Sequence, residues 1–191
     1  MRIGLLGGSF NPAHEGHVHA SELALKQLHL DYVWWLVSPQ NPLKGVAEMA
    51  ELQTRLQSAK ALARHPRIVV TSIEEQLGTR FTVDTLRALK HRFPQVRFVW
   101  LMGSDNLVQL PRWRNWREIF ALLPAAVVAR PGSALAARCS KAATIFRAAY
   151  VPPSCHICVM RPPVWTILDA KRNPASATSL RAALAKPWRL W

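Results

Sequence analysis

Short continuous apolar runs alternate along this chain with stretches whose apolar residues recur every three or four positions. Arg2–Leu6, Tyr32–Val37, Arg67–Thr71, Val96–Met102 and Ala125–Ala129 have the length and β-branched or aromatic content of buried strands. Between them lie helical patterns. Val18–Leu28 carries Val18, Leu23, Leu25 and Leu28 largely on one side, and Met49–Ala63 carries Leu52, Leu56, Ala59 and Ala63 at helical spacing. Val83–Arg92 and Trp116–Leu123 also read as helices. Ser133–Ala149 is alanine-rich and predicts one more helix. Pro152-Pro153 and Pro162-Pro163 bracket a short predicted strand, with Val164–Leu168 as another. Near the end, Asn173–Arg181 reads as a capped helix start leading into Leu180–Lys186, with Ser or Thr at the N-cap.

Strand–helix alternation of this kind predicts an α/β fold: a doubly wound, Rossmann-like parallel sheet with helices on both faces. The continuous apolar strands fit burial on both sides. The chain of 191 residues is expected to form a single domain, 1–191, with 174–191 a C-terminal helical segment. In such sheets ligands bind beyond the carboxyl ends of the strands, near the point where strand order reverses. The loops after the first, second and fourth predicted strands fall on that edge. They hold the least ordinary residues of the chain.

The first of these loops is Gly7-Gly8-Ser9-Phe10-Asn11-Pro12-Ala13-His14-Glu15-Gly16-His17. It joins a strand to a helix through small residues. The start of a helix leaves N–H groups unpaired and carries partial positive charge, so the turn is a candidate anion site. Gly7 and Gly8 carry no Cβ and would let phosphates come close to the backbone. His14 and His17, three residues apart, fall on one side of the first helical turn. The stretch lacks the Gly-x-x-x-x-Gly-Lys of a P-loop and the Gly-x-Gly-x-x-Gly of a dinucleotide fold.

Composition adds a class of partner. Half the residues are hydrophobic and the formal net charge is +14. Residues 1–95 hold 11 basic and 8 acidic side chains, whereas residues 96–191 hold 14 and 3. A basic half points to an anionic ligand without choosing between nucleotide, nucleic acid and lipid. No apolar run approaches the length of a membrane span, and the N-terminus does not read as a signal peptide, so cytoplasmic residence is the expectation and a membrane partner is not. Cys139, Cys155 and Cys158 are odd in number and predict reduced thiols. Cys155-His156-Ile157-Cys158 lacks a second ligand pair for zinc, so it reads as ordinary strand or loop.

The His14-x-Gly16-His17 core behind Gly8-Ser9-Phe10-Asn11-Pro12 resembles the nucleotidyltransferases with a His-x-Gly-His signature, and among them the bacterial nicotinate-nucleotide adenylyltransferases. Three further segments share the likeness. Ser38-Pro39-Gln40-Asn41-Pro42-Leu43-Lys44 looks like the family's phosphate-loop lysine segment. Phe81-Thr82-Val83-Asp84-Thr85-Leu86 and Gly103-Ser104-Asp105-Asn106-Leu107, with Trp113 and Trp116 following, look like its pyridine-nucleotide side. Ser176-Ala177-Thr178-Ser179-Leu180-Arg181 resembles its C-terminal Ser-Ser-Thr-x-Ile-Arg, which implies that the segment 174–191 completes the phosphate site. Two positions depart: Ala177 replaces the usual second Ser, which removes one hydroxyl from the phosphate, and Phe81 stands where Tyr is common.

The resemblance implies an enzyme of NAD biosynthesis. The 5′-phosphate of nicotinate mononucleotide attacks the α-phosphorus of ATP, in line and without a covalent enzyme intermediate, giving nicotinate adenine dinucleotide and pyrophosphate. The nucleophile is already an anion, so catalysis reduces to alignment and neutralisation of phosphate charge. His14, His17, Lys44 and Arg181 are the expected catalytic group, with His17 nearest the α-phosphate and Lys44 and Arg181 on the β- and γ-phosphates. Gly8, Ser9, Phe10, Gly103, Asp105, Ser176 and Thr178 would bind ATP. Asn11, Thr85, Trp116 and Arg130 would bind the mononucleotide: Trp116 by stacking on the nicotinate ring, Thr85 and nearby N–H groups by receiving its carboxylate. Mg2+ would be carried by the ATP phosphates, with no metal site of the protein's own.

The bland alternatives are plain. Trp34, Trp35 and Trp100 lie in predicted strands and read as core; Trp116 fits core packing nearly as well as stacking. Trp188 and Trp191 are candidates for contact with another subunit, so a homo-oligomer is admitted. Within the same chemistry, the acceptor could instead be nicotinamide mononucleotide or phosphopantetheine. From another class, Arg112-Trp113-Arg114-Asn115-Trp116-Arg117 is the one segment suited to a basic nucleic-acid-binding protein. That reading leaves the glycine turn unexplained, so nucleic acid is not the expected partner.

Overall fold

The computed structural model describes residues 1–39, 49–129 and 134–168. Lys44, Arg130, Ser176, Thr178, Arg181, the Leu180–Lys186 helix, Trp188 and Trp191 lie outside those residues.

Six strands form one sheet: β1 (Arg2–Gly8), β2 (Tyr32–Val37), β3 (Ile68–Thr71), β4 (Arg97–Gly103), β5 (Ala125–Val128) and β6 (Trp165–Leu168). Their order is β3-β2-β1-β4-β5-β6, and every neighbouring pair is parallel. The expected doubly wound sheet is therefore present.

Each strand alternates between two hydrophobic layers, as a period of two requires. Ile3 and Leu5, Trp34 and Leu36, Phe98, Trp100 and Met102, Ala125 and Val127 face one layer. Leu6, Val33, Trp35 and Val37, Val99 and Leu101, Ala126 and Val128 face the other. Helices α1 (Glu15–Gln27) and α2 (Leu52–Leu62) cover the second layer through Ala24, Leu25, Leu56 and Ala59. Helices α4 (Thr82–Arg92) and α6 (Trp116–Leu122) cover the first through Val83, Leu86, Leu89, Ile119 and Phe120. Trp35 and Trp100 are core residues, and Trp34 is half-buried against Phe93 and Phe98.

Several predicted elements are corrected. Helix α1 starts at Glu15, one turn earlier than Val18, because a pair of histidines caps it. The Ser133–Ala149 helix is broken into α7 (Ala134–Arg138), α8 (Lys141–Ile145) and a 3-10 turn at Arg147–Ala149. The break falls at Ser140, whose hydroxyl accepts the Ala143 N–H at 3.2 Å and so starts a new helix. The strand predicted between the two proline pairs is absent; a 3-10 turn, Ile157–Val159, stands there with Ile157 buried against the α1 side of the sheet. Two short helices had no periodic signal: α3 (Ile73–Gln76), and α5 (Ser104–Gln109), which begins directly at the end of β4.

Candidate active site

Strand order reverses at β1, which has β2 on one side and β4 on the other. Leu6 pairs with Trp35 in β2 and with Leu101 in β4, so Gly8, Val37 and Gly103 end side by side at the carboxyl edge. This is the crevice that the topology favours for a ligand.

Beyond Gly8 the chain turns through Phe10, which has φ +46. A left-handed residue other than glycine needs holding in place. Its ring is 1% exposed and lies between Trp35, stacked at 5.0 Å and 20°, and His17 at 4.6 Å. The two glycines before it differ in what they face. A Cβ on Gly7 would meet Trp100 Cη2 at 2.5 Å, so Gly7 is required by packing. A Cβ on Gly8 would meet only the Phe10 ring, at 3.4 Å, an ordinary contact.

The two histidines cap helix α1 reciprocally. His14, extended at φ −151 and ψ 165, is the N-cap, and its Nδ1 accepts the Gly16 N–H at 3.1 Å. The His14 N–H donates to Nδ1 of His17 at 3.2 Å. This is the logic of a capping box with imidazoles in place of hydroxyl and carboxylate. It has a chemical consequence. A ring nitrogen that accepts an N–H bond carries no proton, so the neutral rings hold theirs on Nε2. Both imidazoles are thereby set as Nε2–H donors. The rings lie 3.9 Å apart, His14 buried and His17 half-buried.

A buried relay supports the second histidine. The indole N–H of Trp35 donates to Ser21 Oγ at 2.8 Å, and Ser21 Oγ donates to the His17 carbonyl at 2.8 Å. The first turn of α1 is thus tied to the centre of β2.

Asn11 is buried, and its Oδ1 accepts the Ala50 N–H at 3.2 Å, joining this turn to the approach to α2. The placement gives Asn11 a loop-tying contact in addition to any ligand contact expected of it. Arg55, on α2, reaches the same region and donates to the Ser9 carbonyl at 2.7 Å.

On the β4 side, Gly103 is the N-cap of α5, Ser104 is buried, and Asp105 lies in the first turn. Asp105 and Gly103 therefore share the edge with Gly8, Ser9 and the histidine pair.

The remaining expected residues gather where α4 and α6 begin. Phe81 is the N-cap of α4, and the Arg114 guanidinium lies over its ring at 4.7 Å. Asn115, left-handed at φ +46, starts α6, and Trp116 is its first residue. Trp116 is half-buried, edge-on to Phe146 at 6.0 Å, with Arg117 over its face at 5.6 Å. The two helices are held together by Arg87, which bonds Glu118 at 2.6 Å and Asp84 at 2.7 Å.

Thr85 sits one turn into α4 and is 1% exposed. Its hydroxyl lies 3.2 Å from Glu74 Oε1 and 2.9 Å from Thr79 Oγ1, and its N–H bonds the Phe81 carbonyl at 3.1 Å. The side chain therefore turns inward. Thr82 and Val83 supply the first-turn N–H groups, which lack intrahelical partners. Burial raises the Glu74 carboxyl to about 7, against the opposing hydrogen bonds from Thr85 and Ser38.

Arg55 and Glu74 were not singled out by sequence. Arg55 does carry a signal: it falls between Leu52 and Ala59 on the apolar stripe of α2, a charged residue where the helical period asks for an apolar one. Glu74 has no such mark, because the four-residue helix that carries it is too short for periodicity.

No group of three or more His, Cys, Asp or Glu side chains suited to hold a metal gathers among the described residues. No helix among them is long and apolar enough to cross a membrane.

Comparison with known proteins matches the chain to a family model described as cytidylyltransferase-like over residues 5–183. A probable nicotinate-nucleotide adenylyltransferase of Parvibaculum lavamentivorans is 54% identical over 189 residues, covering 95% of this chain and 91% of the relative. One of Cereibacter sphaeroides is 53% identical over 182 residues, covering 95% and 97%. Among solved structures, Plasmodium falciparum nicotinic acid mononucleotide adenylyltransferase complexed with NaAD is similar at a TM-score of 0.71 and 16% identity, over 95% of this chain and 82% of that one. At that identity the likeness concerns the fold.

Proposed function

The chain belongs to the nicotinate-nucleotide adenylyltransferases of the cytidylyltransferase-like family, and from that premise we propose how its residues perform the reaction. It is a nucleotidyltransferase of NAD biosynthesis: it transfers the adenylyl group of ATP to nicotinate mononucleotide, with pyrophosphate as the second product.

A 5′-phosphate oxygen of the mononucleotide attacks the α-phosphorus of ATP in line. The bond from that phosphorus to the bridging oxygen breaks, and pyrophosphate leaves with the electron pair. The attacking oxygen is already ionised, so no general base and no covalent enzyme intermediate is needed. What the site must supply is alignment and donors for the phosphate oxygens.

The observation that carries this reading is the reciprocal histidine cap, which sets both imidazoles as Nε2–H tautomers at the helix start that follows the Gly8–Phe10 turn. His17 takes the α-phosphate and His14 the neighbouring phosphate oxygens. Gly8, Ser9 and Phe10 contribute the turn. Lys44 and Arg181, with Ser176 and Thr178, are assigned to the β- and γ-phosphates through the family pattern, and the segment 174–191 is assigned to completing that end of one domain. Gly103 and Asp105 face the adenosine.

The mononucleotide is assigned to the space where α4 and α6 begin. Trp116 stacks on the nicotinate ring, and the first-turn N–H groups of α4, braced by Thr85, receive its carboxylate. Asn11 and Arg130 serve the ribose and phosphate end.

Mg2+ fits this donor set as a cation held by the triphosphate and water, where it would neutralise charge on the phosphate oxygens. The groups assigned to the phosphates are N–H and hydroxyl donors and cations, which suit the anion rather than the metal.

Purified protein with Mg-ATP and nicotinate mononucleotide is expected to release pyrophosphate, and far less with nicotinamide mononucleotide. Equal rates on the two would remove the nicotinate preference. Absence of release with any mononucleotide would overturn the activity.

A further inference from the structure

Arg55 is 1% exposed, on the face of α2 that packs against the sheet. Its Nε donates to the Ala50 carbonyl at 2.8 Å. Nη1 donates to the carbonyls of Ser9 and Ser38, both at 2.7 Å, and Nη2 to that of Pro39 at 3.0 Å. Among the described residues no carboxylate pairs with it. Burial alone lowers its affinity for the proton. Placing an ionised group there without a counter-charge costs several kcal/mol before the hydrogen bonds offset it. A hydrophobic side chain of similar volume would fill the same space without that cost.

What the guanidinium adds is geometric. Its fork collects the carbonyls of three separate segments: the turn after β1, the end of β2 and the approach to α2. A planar trans peptide carries its C=O and N–H in opposite directions. Anchoring the Ser9 oxygen on Arg55 therefore aims the N–H of Phe10 away from α2. The residue so aimed is the left-handed Phe10, next to the phosphate-binding backbone. Ser38 and Pro39 carbonyls on the same fork fix how the loop after β2 leaves the sheet.

We infer that Arg55 is a positioning residue, which holds the turn after β1 against the end of β2 at Ser38 and Pro39 so that the backbone donors of that turn face the triphosphate of ATP. The inference rests on the proposed ATP site. Arg55 itself is assigned no contact with substrate, and three of its four bonds go to the Ser9, Ser38 and Pro39 carbonyls, so its main effect is expected on ATP. A lysine cannot replace the fork, because its donors radiate from one nitrogen and cannot span four carbonyls in a plane.

The test uses full-length Arg55→Lys and Arg55→Met proteins. Each substrate is varied in steady state, thermal stability is recorded, and ATP binding is measured by calorimetry without the second substrate. Both variants are expected to raise the ATP KM and Kd by about tenfold or more, as loss of one or two buried hydrogen bonds would, while the mononucleotide KM stays within about twofold. Where Arg55→Met does not fold, Arg55→Lys decides alone. ATP Kd within about twofold of wild type, or equal weakening of both substrates, would reduce Arg55 to a packing role and overturn the inference. A wild-type protein inactive on the mononucleotide would remove the proposed activity, while the ATP-binding comparison would still decide the role of Arg55.

Discussion

Nδ1 of His17 accepts the backbone N–H of His14 at 3.2 Å, so the second histidine of the signature helps build the helix start that the first one caps. Each ring has a structural nitrogen and a chemical one. Replacing His17 by Ala removes the Nε2–H donor and also one cap bond. Replacing it by Asn supplies an amide oxygen at the Nδ1 position that can serve the cap without placing a donor at Nε2. On the proposed mechanism, His17→Ala loses about 10²–10³ in kcat. The cap bond contributes about 1 kcal/mol of stability. His17→Asn is expected to recover stability but not turnover. Thermal denaturation beside pyrophosphate release separates the two. Recovery of turnover along with stability would show that the ring acts only through the cap.

Gly7 and Gly8 are adjacent and are expected to respond to the same substitution in opposite ways. A Cβ at Gly7 would lie 2.5 Å from Trp100 Cη2, inside a core in which Trp100 is edge-on to Trp113. Gly7→Ala must push that indole and should cost about 1–3 kcal/mol of stability, the usual range for overpacking. At Gly8 the nearest atom would be Phe10 Cε2 at 3.4 Å, so the fold should tolerate Gly8→Ala. If ATP phosphates approach the Gly8 backbone, that methyl group raises the ATP KM instead. Denaturation midpoints and ATP KM values for the two variants check both statements, and an unchanged ATP KM in Gly8→Ala would move the phosphates elsewhere.

The sheet was legible because every central strand is apolar on both faces, so its period and burial agree. Ile3, Leu5 and Leu6 fill two separate layers as that pattern implies. The edge that carries the site was legible through Gly7–His17, whose residue types suit a strand–turn–helix anion cradle. What the pattern hid was local. Two imidazoles acting as a cap lie outside the Ser, Thr, Asp and Asn preference, so the apolar pattern marks the start of α1 one turn late. Ser140 reads as one polar residue in an alanine-rich run, yet its hydroxyl ends one helix and begins another. Ile157 to Met160 is apolar enough for a strand, but the Ile157 N–H bonds the Cys155 carbonyl and the turn closes on itself. Arg55 and Glu74 show the limit most clearly. Arg55 at least stands out on the apolar stripe of α2, but the partners of both are carbonyls and hydroxyls from distant segments, which no spacing in the sequence announces.

The three thiols are expected to react at three different rates. Cys139 is exposed, Cys155 is half-buried and Cys158 is buried, with its Sγ–H donating to the Leu28 carbonyl at 3.3 Å. Burial also raises the Cys158 pKa, which lowers its thiolate fraction. Titration of the native protein with a chromogenic disulfide at pH 8 should give one fast thiol, assigned to Cys139 by its loss in Cys139→Ser. Cys158 should react fully only after denaturation. Fast reaction of a second thiol together with loss of the third would instead reveal a Cys155–Cys158 couple.

Glu74 sets a pH dependence of stability whose sign follows from its environment. Burial raises its carboxyl from 4.5 to about 7 in the folded chain. The folded state therefore holds this proton more tightly than the unfolded state. Its stabilising contribution is complete below about pH 4.5 and is lost as the pH rises through about 7. The difference amounts to about 3 kcal/mol. Above that pH the carboxylate is ionised beside Thr85 and Ser38, whose hydroxyls soften the cost without removing it. Glu74→Gln keeps an acceptor for the Thr85 hydroxyl and has nothing to ionise. Urea denaturation of the two proteins at pH 5, 6, 7 and 8 should show the variant gaining on the wild type step by step and exceeding it at pH 8. Parallel curves would mean that the Glu74 carboxyl titrates in its ordinary range, and that the pocket joining α3, Thr85 and the end of β2 is wetter than its packing implies.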